Sequence, residues 1–155
     1  MRPIIMILGP TAGGKTSLAI ELAKKLPNGG ECVCADSMQI YKRMDIGTAK
    51  PTMEERKAAP HHLFDLIEPS EQGFTVDSWL SQANMKIEEI RSRRKWPIVV
   101  GGTNLYVQSL LFGMFDAPSA NPQRRAELES CTNDQLREIL QKIDPEATMR
   151  IHIND

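Results

Sequence analysis

Eight consecutive residues carry the most explicit chemistry in the chain. Gly9, Pro10, Thr11, Ala12, Gly13, Gly14, Lys15 and Thr16 fit the phosphate-loop pattern G-x-x-x-x-G-K-[ST]. Glycines in such a loop let backbone N–H groups turn inward around an anion, and a following helix adds partial positive charge. Lys15 contributes a full charge, and the Thr16 hydroxyl is a candidate ligand for Mg²⁺. The expected ligand is a di- or triphosphate.

Two further residues are expected at the same place. Asp36 closes the run Glu31-Cys32-Val33-Cys34-Ala35 and is a candidate general base toward a nucleophile approaching a bound phosphate ester. A water-mediated Mg²⁺ contact and a cap for the next turn are the other readings of this carboxylate. Thr103 follows Gly101-Gly102; its hydroxyl is expected both to cap the next helix and to reach a phosphate oxygen. The run ending at Gly101 lacks the acidic pair with which hydrolytic phosphate-loop proteins hold metal and activate water. This weighs against an ATP-driven motor or switch.

The elements that must position these residues are legible in part. Pro3 to Leu8 reads as a β-rich apolar run, and Leu18, Ala19, Leu22, Ala23 and Leu26 fall on one helical face. Pro27-Asn28-Gly29-Gly30 breaks that helix, and Glu31 to Ala35 reads as a second strand. Residues 37–62 are expected to form a long, partly irregular excursion over the site. A short strand is expected within His61–Ile67. Val76, Trp79, Leu80, Ala83, Ile87 and Ile90 predict an amphipathic helix over about 76–94. Pro97 to Gly102 reads as a buried parallel strand running into a tight turn, followed by a helix from Thr103 to Gly113. Ala117 to Pro122 reads as a linker, and two short helices are expected at about 122–130 and 133–143. Nothing in the pattern after Pro145 predicts a terminating element.

Alternating strands and helices imply an α/β fold with a parallel sheet. In such a sheet ligands sit beyond the carboxyl ends of the strands, so the glycine loop, Asp36-Ser37 and Gly101-Gly102-Thr103 should converge on one crevice. The expected architecture is a P-loop NTPase-like parallel sheet with flanking helices. It has fewer strands than the usual five or so, and the start of a small helical insertion follows. The boundary is placed between a core of 1–115 and a segment of 116–155.

Composition adds limits. The chain has 155 residues, 41% hydrophobic and 25% charged, with a net charge of -1. Bulk charge therefore does not draw it to polyanions, and any such contact needs a local patch. Arg91, Arg93, Arg94 and Lys95 form a basic cluster, read first as cations suited to the end of a helix and second as a polyanion patch. Cys32, Cys34 and Cys131 are expected as reduced thiols in a cytoplasmic protein. His61 and His62 lack metal-ligand spacing. No signal peptide is expected before the first strand, and no apolar run is long enough to span a membrane. Arg124 and Arg125 are read either as reaching over the site or as a solvated helix face.

With these residues placed, the chain resembles the tRNA dimethylallyltransferases, also called tRNA isopentenyltransferases. The stretches that carry the resemblance are GPTAGGKT (9–16), DSMQIYKRMDIGTAKPT (36–52), HHLFDLIEP (61–69) and PIVVGGTNLYVQSLLFG (97–113), with Pro118-Ser119-Ala120 and the Arg125 region. The resemblance implies that the loop holds the diphosphate of dimethylallyl diphosphate, and that the acceptor is the exocyclic amine of the adenine beside the anticodon of tRNA. It implies Asp36 as the base on that amine. Thr103 then lies near the diphosphate and reacting centre, Arg125 near the substrates, and Asp36, Ser37, Met38 and Gln39 form the segment that handles a flipped-out base. Mg²⁺ as cofactor, the tRNA anticodon stem-loop as partner and a monomeric state are implied with it. Members of that family are longer, continuing past Ile151-His152-Ile153-Asn154-Asp155 with an arginine-rich helix that grips tRNA. Three other readings stand beside it: transfer to a free adenine nucleotide, a small-molecule kinase, and a non-catalytic fragment.

Overall fold

A computed structural model describes residues 2–71, 73–114 and 121–154. The chain divides into two compact units, Met1–Met114 and Phe115–Asp155.

The first unit contains a sheet of four parallel strands, β1 (Ile5–Leu8), β2 (Gly30–Ala35), β3 (His61–His62) and β4 (Trp96–Gly101), in the order β1-β4-β2-β3. Its helices are α1 (Lys15–Lys25), α2 (Met53–Ala58), α3 (Val76–Ser92) and α4 (Asn104–Phe112). Every residue of β2 is buried, which explains why its sequence is continuous rather than alternating. Side chains still leave the sheet with period two. Ile98 joins Ala19, Ile20, Ala23 and Cys32 beneath α1, whereas Val99 joins Val33, Trp79, Ala83, Ile87 and Ile90 beneath α3. The Trp79 ring stacks on Tyr106 of α4 with centroids 4.5 Å apart, and its Nε1 donates to Cys34 O at 2.9 Å. A buried indole is thereby satisfied.

Register sets the geometry of the site. Leu8 and Ala35 both pair with Gly101, so β1, β4 and β2 end level with one another. With neighbouring strands about 4.8 Å apart, the chain leaves three adjacent strand ends within about 10 Å. A Cβ on Gly101 would stand 2.1 Å from Ala35 O, so only glycine permits this approach.

Two elements escape the sequence pattern. The excursion after β2 contains α2, opened by a capping box in which Thr52 accepts from Glu55 N and Glu55 accepts from Thr52 N. A six-residue helix is too short for a 3.6-residue period to show, but the T-x-x-E spacing marks it. The short strand expected within 61–67 is only two residues long, and Ile67 instead forms an isolated bridge with Tyr41.

The second unit holds α5 (Pro122–Glu129), α6 (Asn133–Ile143) and α7 (Pro145–Arg150). Asn121, Thr132 and Asp144 cap them. α7 corrects the expectation that nothing ordered follows Pro145. Its proline occupies the first turn, where the missing N–H costs nothing. Arg137 of α6 donates to Thr148 O and Ile151 O at 3.1 and 3.3 Å, tying α7 to α6. Of the expected linker, 117–120 lie outside the described residues, as do the Pro118-Ser119-Ala120 positions of the resemblance. Among the described residues no helix is long and apolar enough to cross a membrane.

Candidate functional site

The site begins where β1 stops. Gly13 N donates to Pro10 O at 3.2 Å, closing the loop, and Gly14 adopts φ 75° at the N-terminus of α1. A β-carbon would disfavour that left-handed conformation. No acidic residue occupies the first turn of α1, so its free amides and dipole face outward uncompensated. Lys15 Nζ donates to Pro10 O at 2.6 Å, arching over its own loop.

Asp36 follows β2 directly. Its Oδ1 accepts from Met38 N at 2.9 Å and Gln39 N at 3.4 Å, which caps the turn after the strand. Among the described residues no donor contacts Oδ2. The carboxylate therefore has one oxygen fixed by the backbone and one with free lone pairs. Asp36 shares a cleft of about 240 Å³ with Thr11, Ala12, Gly13, Gly14, Lys15 and Thr16. Gln39, Ala49, Val100 and Gly101 complete its lining. The glycine loop, the Asp36 end and the Gly101 end thus converge on one crevice.

Thr103 corrects one expectation. It is the N-cap residue of α4, but its hydroxyl makes no capping bond. Oγ1 instead accepts from Ser37 N at 2.9 Å and donates to Ser37 Oγ at 3.2 Å, while Thr103 N donates to Ala35 O at 3.2 Å. The level strand ends bring residue 103 within reach of residue 37, so a cross-strand partner displaces the local cap. Thr103 therefore clamps the backbone on both sides of Asp36.

Gln39 is likewise committed. Its Nε2 donates to Thr48 O at 2.9 Å and Ala49 O at 3.1 Å, and its Oε1 accepts from Cys34 Sγ at 3.4 Å. Met38 is exposed. Pro10 and Gly9 belong to the loop, with a Cβ on Gly102 reaching 3.0 Å from Gly9 O. Arg125 belongs to the second unit, on α5, where it pairs with Glu129 at 3.1 Å; Arg124 pairs with Glu127 at 2.8 Å.

The basic cluster has a different explanation from a polyanion patch. Glu31, 3% exposed at the start of β2, receives Arg93 at 2.7 Å, His62 at 2.7 Å and Lys95 at 3.0 Å. Burial pushes the Glu31 carboxyl up, but hydrogen bonds from His62, Lys95 and Arg93 outweigh it and hold it below the ordinary range. Arg91 donates to Arg2 O and Glu88. α3 also ends at Ser92, so Arg94 and Lys95 lie beyond its last turn. His61 Nδ1 contacts Ala59 O at 2.7 Å, and among the described residues no cluster of three His, Cys, Asp or Glu could hold a metal. Cys32 and Cys34 are free and buried; burial raises both thiols, Cys32 to about 12, so neither is poised as a nucleophile.

Comparison with known proteins bears on what the cleft holds. The model of the family described as IPP transferase matches residues 39–155, and that described as isopentenyl transferase matches residues 2–68. A tRNA dimethylallyltransferase 1 of Citrifermentans bemidjiense is 43% identical over 98% of this chain and 49% of its own length. A tRNA dimethylallyltransferase of a Sulfurihydrogenibium species is 47% identical over 98% of this chain and 48% of its own. Among solved structures, the full-length tRNA isopentenylpyrophosphate transferase of Bacillus halodurans aligns with a TM-score of 0.70 at 42% identity, covering 100% of this chain and 52% of that one. A eukaryotic dimethylallyltransferase acting on tRNA aligns with a TM-score of 0.86 at 35% identity, covering 100% and 39%. The chain spans about half the length of the curated relatives it matches.

Proposed function

The chain belongs to the IPP transferase family, and from that premise we propose that it carries the donor-binding and base-bearing part of a tRNA dimethylallyltransferase. The observation that carries this reading is the shared cleft of the glycine loop and Asp36.

In this proposal the diphosphate of dimethylallyl diphosphate lies on the amides of Gly9 to Thr16 at the N-terminus of α1. Lys15 exchanges Pro10 O for a phosphate oxygen. Mg²⁺ fits the site as an ion held by the Thr16 hydroxyl and the donor's own oxygens, a hard cation in an all-oxygen set that needs few protein ligands. When bound it supplies charge to the departing diphosphate. The adenine amine of the anticodon loop attacks the allylic carbon, forming the C–N bond as the C–O bond breaks and its electron pair leaves on the diphosphate. The amine's proton passes to Asp36 Oδ2, the oxygen left free by the turn. Loop amides and Lys15 stabilise the leaving group where charge develops. Thr103 acts through the backbone it clamps, holding Asp36 and Ser37 toward the donor. Exposed Met38 offers a face to a base extruded from the loop, where unstacking is cheap. Arg125 contributes a cation to the substrates.

A heat-unfolding series with dimethylallyl diphosphate and with ATP tests the donor assignment. A specific ligand at a hundred times its dissociation constant stabilises the folded chain by about 2.7 kcal/mol. Stabilisation by ATP but not by the prenyl donor would make the site that of a kinase. A second reading, transfer to a free adenine nucleotide, draws support from the isopentenyl transferase match over residues 2–68. Transfer to an anticodon stem-loop but not to AMP decides for tRNA. Donor binding with no transfer to either acceptor marks a non-catalytic fragment.

A further inference from the structure

The wall of the cleft opposite the glycine loop is held in an unfavourable conformation. Ala49, which lines the cleft, has φ 52°, a left-handed value that a β-carbon disfavours. Residues persist there only when their surroundings over-determine them. The surroundings here are explicit. From the cleft side, Gln39 Nε2 donates to the carbonyls of both Thr48 and Ala49. From behind, Thr48 Oγ1 donates to Met44 O at 2.6 Å.

The third restraint is a buried lysine. The Lys50 side chain is 2% exposed, yet all three of its ammonium protons have acceptors: Tyr41 O at 2.5 Å, Asp45 Oδ1 at 3.1 Å and Asp65 Oδ1 at 2.7 Å. Asp65 is fixed in turn by Arg56 at 2.9 Å through its other oxygen. A cation this deep is costly unless fully paired, and removing one partner leaves the others unsatisfied. An apolar side chain would fill the same space without that cost, so packing alone does not call for lysine. What the ammonium adds is direction: it binds the turn at Tyr41 and the segment at Asp65 to the residue next to Ala49.

Building on the prenyl-donor reading, we infer that Lys50 is a positioning residue. Through Ala49 it fixes the wall against which the prenyl chain of the donor packs, while the glycine loop binds the diphosphate independently of it. Gln39 serves the same wall, which accounts for an amide whose donors are spent on Thr48 and Ala49. The two ends of the donor are therefore recognised by separable parts of the fold.

The test titrates the chain with dimethylallyl diphosphate and with inorganic pyrophosphate, in the presence of Mg²⁺, by calorimetry. Lys50→Met is expected to weaken dimethylallyl diphosphate by at least about fivefold while pyrophosphate changes by less than about twofold. Asp65→Asn, which leaves Tyr41 O and Asp45 as acceptors, gives a smaller split in the same direction. Lys50→Arg, which retains the charge, restores part of the loss. Should Lys50→Met fail to fold, the Asp65→Asn split decides. Equal losses for the two ligands, or none for either, overturn the inference. If the unaltered chain binds pyrophosphate but not dimethylallyl diphosphate, the prenyl-donor reading falls and the wall with it. If it binds both and the variants keep the ratio, the wall alone falls.

Discussion

Asp36 Oδ1 holds two backbone amides, so substitutions there separate its two duties. Asp36→Asn keeps the acceptor and removes the base. Transfer is expected to fall by ~10²–10⁴-fold, the usual range for a general base, with donor affinity unchanged by titration. Asp36→Ala also loses the cap, adding about 0.5–2 kcal/mol of lost stability in denaturant melts. Parallel loss of binding and transfer in Asp36→Asn would remove the base assignment. Lys15→Ala should weaken donor binding itself; unchanged affinity would detach the loop from the diphosphate. Gly101→Ala forces a methyl to 2.1 Å from Ala35 O, which must part the two strand ends. Overpacking of this kind costs about 1–3 kcal/mol or more, and here it moves Asp36 as well. Activity should therefore fall further than the melting point predicts.

Among the elements, β2 carries function at one end and an ion cluster at the other. Glu31 sits where β2 starts and ties the approach to β4 through Arg93 and Lys95, and β3 through His62. Its carboxyl is depressed from the ordinary 4.5. The stabilisation is thus complete above that value and is lost as pH falls through the lower folded value. Asp65, held below 3.8 because Lys50 and Arg56 outweigh its burial, has the same sign. Denaturant midpoints should drop on acidification, and Glu31→Gln should flatten that drop. At neutral pH the substitution should cost about 1–2 kcal/mol. That is less than for a fully buried pair, because the partly exposed cations can rehydrate. A pH profile identical to that of the unaltered chain would show that Glu31 is not the group responsible. α2 depends on its capping box, so Thr52→Ala should destabilise by about 1 kcal/mol.

At the scale of the molecule, the two units differ in how much they bury. β2 is buried throughout, and α3 buries Trp79, Ala83, Ile87 and Ile90. In the second unit α5 and α6 bury no residue and α7 buries only Thr148. Local opening is cheapest where few apolar contacts hold an element. Amide exchange is therefore expected to be fast over Pro122–Arg150 and slowest in β2 and β4. Comparable protection in both units would contradict this.

The glycine loop, Asp36 and the Gly101 turn were legible in the chain because each is a local pattern: a spacing, or the polar end of an apolar run. The amphipathic α3 was legible because seventeen residues give its period room to repeat. α2 and α7 are six residues each, too short for a period, and only their caps announce them. What tertiary structure alone decided were partnerships across long stretches of chain. Register brings Thr103 to Ser37, so a hydroxyl suited to capping becomes a clamp. The same folding spends Arg93 and Lys95 on Glu31, and Lys50 on Asp45 and Asp65. Local chemistry fixes what a side chain can do; which partner it meets depends on strand order and burial, which no window of sequence contains.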